Sequence, residues 1–174
     1  MTTAGLVLAA GAGRRYGMPK AVVPYRGELL VHRAVRILAE AGCPATVVLG
    51  AVDVPGLVSV MNPDWETGMG SSLRAGLHHL AGTDATAAVV LLVDMPGVTA
   101  AAVRRIVAHA APDALVMGGY GDRRGHPVLL GRDHWAGVAA TATGDRGARD
   151  YLRAHPVRVV PVDDVADDTD MDHP

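Results

Sequence analysis

The run Leu8-Ala9-Ala10-Gly11-Ala12-Gly13-Arg14-Arg15-Tyr16-Gly17-Met18-Pro19-Lys20 gathers glycines and three cations directly behind a short apolar stretch, Gly5 to Ala10. Glycines free backbone N–H groups to converge on an anion, and fixed Arg and Lys side chains add charge, so the combination suits a polyphosphate. A Walker loop would need Lys followed by Ser or Thr, whereas Lys20 lies between Pro19 and Ala21. A dinucleotide fingerprint would need Gly-x-Gly-x-x-Gly, and after Gly11 and Gly13 the next glycine, Gly17, comes one residue late. Pro19 and Pro24 also oppose a helix starting inside the loop. The residues leave a long, cationic, non-helical phosphate loop, or else a plain glycine turn carrying solvated cations.

A second chemical group is Asp94, where Leu91-Leu92-Val93-Asp94-Met95-Pro96-Gly97 ends an apolar run in a chain-breaking Pro-Gly. A carboxylate there can hold Mg²⁺ together with substrate phosphates, or serve as a turn or N-cap residue. The tail Asp168-Thr169-Asp170-Met171-Asp172-His173-Pro174 offers partner carboxylates. Asn62-Pro63-Asp64-Trp65-Glu66-Thr67-Gly68-Met69-Gly70-Ser71-Ser72-Leu73 puts glycines and hydroxyls at the start of a helical segment, suited to an anion, a base edge or an N-cap. Gly125-His126-Pro127 holds a His in a Gly/Pro turn at the opening of a strand, and Gly144-Asp145-Arg146-Gly147-Ala148-Arg149 puts an Asp and cations at a helix start. The remaining histidines have no metal-ligand spacing.

Elements that would carry these groups alternate along the chain. Helical spacing covers Leu29 to Ala41 with Gly42 as its stop, Ser71 to Ala81, Thr99 to Ala110 and Asp145 to Ala154. Strand-like runs cover Ala45 to Gly50, Leu57 to Met61, Ala87 to Val93, Ala114 to Met117, Pro127 to Leu130 and Val157 to Val162. This order predicts an α/β fold with a mostly parallel sheet between two helical layers, and places the opening loop and Asp94 together at the strands' carboxyl ends. A chain of 174 residues, 49% hydrophobic, suits one domain over 1–174 with one core of Val, Leu and Ala, since it has two Trp, four Tyr and no Phe. A net charge of −2 with scattered Arg gives no reason to expect a nucleic acid partner. The single Cys43 excludes an internal disulfide and a thiolate cage and suits a reducing cytoplasm; no run is long enough to span a membrane, and the first residues lack a basic n-region followed by a signal-type core, so an untargeted protein is expected. Composition alone leaves the acidic tail from Asp163 free to be disordered.

Leu-Ala-Ala-Gly-x-x-x-Arg-x-Gly-x-Pro-Lys resembles the N-terminal signature of the MobA-like nucleotidyltransferases, nearest to their molybdenum cofactor cytidylyltransferases. The resemblance implies a Rossmann-like three-layer fold of the nucleotide-diphospho-sugar transferase type. It puts Arg15 and Lys20 at the nucleotide's phosphates and the Leu8, Ala9, Ala10 and Gly11 backbone beside the base, with Gly13 and Arg14 also in the nucleotide-binding set. Gly13 stands where Ser is common, and Tyr16 where Met or Phe is. Asp94 matches the family's magnesium-binding Asp-x-Pro. The tail aligns with Asp-Ile-Asp-Thr-Pro so that Asp172 becomes the second ligand, a competing alignment naming Asp170; family members usually continue with another helix, so the chain end reads as truncated or disordered. Asn62, Gly68, Met69, Ser71 and Ser72 fall in the segment over the nucleotide. Gly125, His126, Pro127, Asp145 and Arg149 fall where a phosphorylated pterin would sit.

The resemblance further implies Mg²⁺-dependent attack by an acceptor phosphate on the α-phosphorus of a nucleoside triphosphate, with pyrophosphate leaving. Catalysis would lie with Arg15, Lys20 and Asp94, and no general base is needed for an ionised phosphate. Ala10 favours CTP, because the guanine-using branch tends to Leu-Ala-Gly-Gly. The expected acceptor is molybdopterin carrying molybdenum, with an acceptor molybdoenzyme or chaperone as protein partner. Alternatives are another phosphorylated acceptor or nucleotide, a nicotine blue-type oxidoreductase using NAD(P)H, and a carrier module without chemistry.

Overall fold

The computed structural model describes residues 2–174. β1 (Thr3–Leu8), β4 (Ala45–Leu49) and β6 (Ala87–Leu92) are almost wholly buried, as continuous Val/Leu/Ala runs must be when helices cover both faces of a parallel sheet. Two residues after β1 comes the glycine loop, and no α-helix begins in it. Instead Pro19 introduces a single 3-10 turn, Lys20–Val22, and then a small hairpin of β2 (Pro24–Tyr25) and β3 (Glu28–Leu29) that the apolar periodicity did not mark. Helix α1 (Leu30–Glu40) buries Leu30, Ala34, Ile37 and Leu38, its amphipathic stripe, and stops where Gly42 takes φ 80°.

The chain continues through β5 (Ser59–Met61), α2 (Met69–Ala81), α3 (Ala100–Val107), β7 (Leu115–Tyr120), β8 (Arg123–Gly131), α4 (Trp135–Thr141), α5 (Arg149–Arg153) and β9 (Arg158–Pro161). One seven-stranded sheet results, in the order β5-β4-β1-β6-β8-β7-β9. Four of its pairings are parallel, and only β8 runs against its neighbours β6 and β7. One face packs a core of α1 and α3 residues (Leu30, Ile37, Leu38, Val103) on Val7, Val47 and Val89. The other packs α2, α4 and α5 (Leu73, Leu77, Val138, Leu152) on Leu6, Val48 and Val90. This is the three-layer α/β architecture.

Several local expectations are corrected. Helix α4 follows a 3-10 turn at Arg132–His134 and is seated by Trp135, whose indole N–H donates to the Leu130 carbonyl at 2.9 Å; Gly137 and a Thr terminus masked its helical signal. The single helix expected from Asp145 to Ala154 divides at Gly147, φ 55°, into a 3-10 turn Gly144–Arg146 and α5. Gly125 to Pro127 is no opening turn but lies inside β8. There the ladder passes from Met117↔Val128 to Gly118↔Gly125, so His126 and Pro127 bulge out of register, as a residue without an N–H must. The acidic tail is tied down: Asp167 N–H donates to Gly97 O, Thr99 Oγ1 to Val165 O, and Met171 N–H to Asp94 O. Charge alone hid these backbone bonds. Among the described residues, no helix is long and apolar enough to cross a membrane.

Candidate active site

Strand order sets the place of the site. From β1 the chain moves outward through β4 to β5, then returns to the opposite side of β1 at β6, so β1 and β6 diverge at a topological switch point. The cavity, about 580 Å³, opens there and is lined by Leu8 to Arg15, Lys20 and Ala21, the ends of β6 (Leu92 to Asp94), the start of α2, Asp145 and Asp172. The glycine loop is held by Ala9 N–H on Val48 O, Ala51 N–H on Ala10 O, and Gly17 N–H on Gly13 O at 2.7 Å. Gly13 has φ 64°, and a Cβ there would collide with the Met18 carbonyl, so the loop's closure requires glycine.

At the β6 end the charged groups converge. Lys20 Nζ donates to Asp94 Oδ2 at 2.9 Å and to Asp172 Oδ1 at 3.4 Å, and Arg15 stands 4.0 Å from Asp172. Burial opposes the Lys20 charge, but the hydrogen bonds and charges of Asp94 and Asp172 outweigh it and hold its pKa above 10.5. One carboxylate oxygen each of Asp94, Asp170 and Asp172 lie within 4.8 Å of one another. An all-oxygen carboxylate set of this kind fits a hard divalent cation such as Mg²⁺ or Mn²⁺, and Lys20 engages only one oxygen of Asp94 and of Asp172. Both tail alignments therefore reach the cluster, with Asp172 lining the cavity and Asp170 more exposed beside it.

Helix α2 forms the other wall. Its N-cap, Gly68, sits at φ 111° with no side-chain cap and spends its own N–H on the Trp65 carbonyl at 3.2 Å; Gly68 and Met69 line the cavity where the helix begins. Asn62 and Ser71, expected over the nucleotide, do not line the cavity. They are buried brackets: Asn62 Nδ2 donates to Ser71 Oγ at 2.9 Å and Ser72 Oγ at 3.0 Å, Asn62 Oδ1 accepts from Asp64 N–H, and Ser71 Oγ donates to backbone carbonyls of Asp64 and Gly68. That lattice fixes the segment carrying Trp65, Glu66 and Gly68. Ser72 alone of the pair reaches the cavity.

The five residues expected on the acceptor side divide. Only Asp145 lines the cavity; Arg149 is exposed at the start of α5, Gly125 and His126 lie beside Asp168 of the tail, and Pro127 is buried in β8. Tyr120 donates its hydroxyl proton to the His126 carbonyl, and Asp168 crowds Gly125 while pairing with Arg123 at 3.1 Å. Burial pushes the His126 imidazole down to about 4 against the opposing pull of Asp168. Trp65 and Glu66 were legible only as part of the Asn62 to Leu73 segment. Arg33, which donates to Pro96 O through Nε at 2.9 Å and Nη2 at 2.7 Å and so steadies the turn behind Asp94, had no sequence signal.

Residues 5–159 match the MobA-like NTP transferase domain. A protein of Paenarthrobacter nicotinovorans named nicotine blue oxidoreductase is 36% identical over 169 residues, covering 87% of this chain and 82% of the relative. Molybdenum cofactor guanylyltransferase of Rhodobacter capsulatus is 34% identical over 139 residues, covering 78% of this chain and 66% of its own length. The solved structure of Rv0371c from Mycobacterium tuberculosis H37Rv superimposes with TM-score 0.83 at 30% identity, covering 98% of this chain and 94% of that one. A structure of Rv0371c in complex with manganese gives TM-score 0.79 at 28% identity and the same coverage. The chain belongs to the MobA-like NTP transferase family, and its enzyme class is nucleotidyltransferase.

Proposed function

We propose that this MobA-like nucleotidyltransferase transfers CMP from CTP, with Mg²⁺, to a molybdopterin-type phosphorylated acceptor in the cytoplasm, releasing pyrophosphate. The observation that carries the reading is the joining of the glycine loop, Lys20, Asp94 and Asp172 in one cavity at the β1/β6 switch. Asp94 and Asp172, with Asp170 beside them, would hold the divalent ion, which neutralises phosphate charge and orients the α-phosphoryl group. Arg15, Lys20 and the loop amides bind the triphosphate and stabilise charge as it builds on the departing oxygen. An acceptor phosphate oxygen forms the new bond to the α-phosphorus, and the bond to the β-phosphate bridge oxygen breaks with its electron pair going to pyrophosphate. The nucleophile is already ionised at neutral pH, so no side chain has to remove a proton.

The acceptor class is supported by the relatives named for the molybdenum cofactor. Those relatives are named guanylyltransferases, which weighs toward GTP; Ala10, which lines the cavity at the position where the guanine-using branch tends to glycine, weighs toward CTP. Pyrophosphate release measured with CTP and GTP on wild type and Ala10→Gly decides between them: CTP is preferred by wild type and the preference shrinks in the variant. A GTP preference in wild type refutes the cytidine assignment.

A second reading, an oxidoreductase using NAD(P)H, is favoured by the name of the 36%-identical relative, nicotine blue oxidoreductase. It predicts metal-independent NADH binding, and oxidation of NADH in the presence of nicotine blue.

A further inference from the structure

Resting on the nucleotide reading above, we propose that Asp145 is a specificity residue for the nucleotide, accepting a hydrogen bond from the exocyclic amino group of its base. The cavity crosses the carboxyl edge of the sheet. Ala21, Val93 and Met171 tie its Lys20–Asp94–Asp172 end to the core under α1 and α3, whereas Leu73 and Met69 of α2 belong to the opposite face. Asp145 lies at this α2 end. A Cβ on Gly68 would stand 2.6 Å from the Gly144 carbonyl and 2.8 Å from Asp145 Oδ1, and one on Gly70 would stand 2.8 Å from the Thr143 amide. Arg74 adds a bond to Ala142 O at 2.7 Å. Glycines in α2 thus let the Ala142 to Gly147 loop press onto the helix start, with the Asp145 carboxylate on the cavity surface.

That carboxylate has no work inside the chain. Asp145 is exposed, and among the described residues its side chain makes no hydrogen bond or ion pair, unlike its neighbour Asp150, which holds Arg146 at 2.7 Å. Glu66 lines the same end. Two full negative charges outweigh the roughly +0.5 charge of the α2 N-terminus, so triphosphate is disfavoured there and drawn to the loop cations. The nucleoside's uncharged base suits the α2 end, because the acceptor that the resemblance put beside Asp145 carries a phosphate that the same two carboxylates disfavour. An ionised carboxylate only accepts hydrogen bonds, so it rewards an amino group and rejects a carbonyl at the same position.

Calorimetric titration of the full chain with Mg²⁺ and two pairs, CTP against UTP and GTP against ITP, tests this on wild type and Asp145→Asn. Each pair differs at a donor group of the base. Wild type favours the amino-bearing member of the pair that it binds, and Asp145→Asn narrows that ratio about tenfold or more, the loss of a charge-assisted hydrogen bond. An unchanged ratio in a variant that still binds triphosphate overturns the assignment while leaving the proposed function standing. A penalty for 2′-deoxy-CTP that disappears in Asp145→Asn overturns it in favour of ribose recognition. No triphosphate binding by wild type removes the nucleotide reading and the role of Asp145 together.

Discussion

Replacing Lys20 with Met removes the ammonium that bridges Asp94 and Asp172 at 2.9 and 3.4 Å while keeping most of the stem's volume. Three carboxylates within 4.8 Å are then left to face one another. For one pair at that separation, repulsion is about 1 kcal/mol in water-like surroundings and about 3.5 kcal/mol at an effective dielectric constant near 20. Lys20 and Asp94 are mostly buried, but Asp172 is 41% exposed, which pulls the figure toward the lower bound. Metal-free Lys20→Met should therefore lose roughly 1–2 kcal/mol, about 2–8 °C in Tm for a chain of this size. A divalent ion reverses the order. In wild type it must share the carboxylates with an ammonium, whereas in the variant it meets them free, so Mg²⁺ or Mn²⁺ raises the variant's Tm more than the wild type's. Transfer still falls about 10²–10³-fold, because the group that meets developing phosphate charge is gone. Differential scanning calorimetry with and without metal reads the effect. A Lys20→Met protein destabilised equally in both conditions, or not at all, would refute the placement of Lys20 inside a metal-binding carboxylate cluster.

Gly13→Ala forces a left-handed residue and drives a methyl into the Met18 carbonyl, so it should cost about 1–3 kcal/mol and weaken triphosphate binding far more than it weakens metal binding; titration calorimetry separates the two. The His126 imidazole, held at about 4 by burial, takes up its proton more readily in the unfolded chain, whose value is 6.5. Its stabilisation is present above pH 6.5 and is lost as pH falls toward 4, so Tm declines through that window, and His126→Gln flattens this part of the decline. Asp172→Asn should weaken Mn²⁺ binding at least tenfold and Asp170→Asn less, since only Asp172 both lines the cavity and holds Lys20; equal losses in manganese titrations would make the two residues equivalent ligands.

Much of the architecture was legible because buried parallel strands declare themselves: Ala87 to Leu92 and Ala45 to Leu49 are apolar almost without interruption, and α1 repeats its stripe at helical spacing. The runs of β1 and β6 likewise locate Gly11 and Asp94, because a strand's end is marked by the first glycine or carboxylate after it. What escaped depends on contacts distant in sequence. The β8 bulge at His126 and Pro127 is defined against β7, and the order of the tail comes from backbone bonds to Gly97 and Asp94 that composition does not encode. Asn62 and Ser71 matched a nucleotide-binding segment and have inward-facing bonds to each other, a distinction that polarity alone cannot make. Asp145 was legible as a polar helix start. Its proximity to α2 arises from the small size of Gly68 and Gly70, which becomes informative only once the partner loop is known.

Every role proposed for these residues requires that one cavity hold a nucleoside triphosphate and a divalent ion on Asp94 and Asp172. The decisive measurement is thermal shift of wild type and Asp94→Asn with CTP, GTP, UTP, ATP and NADH, each with and without Mg²⁺. A triphosphate, CTP above the others, should stabilise wild type only when Mg²⁺ is present, and that stabilisation should be lost in Asp94→Asn. Stabilisation by NADH without metal, equal in wild type and variant, would overturn the shared triphosphate and metal site.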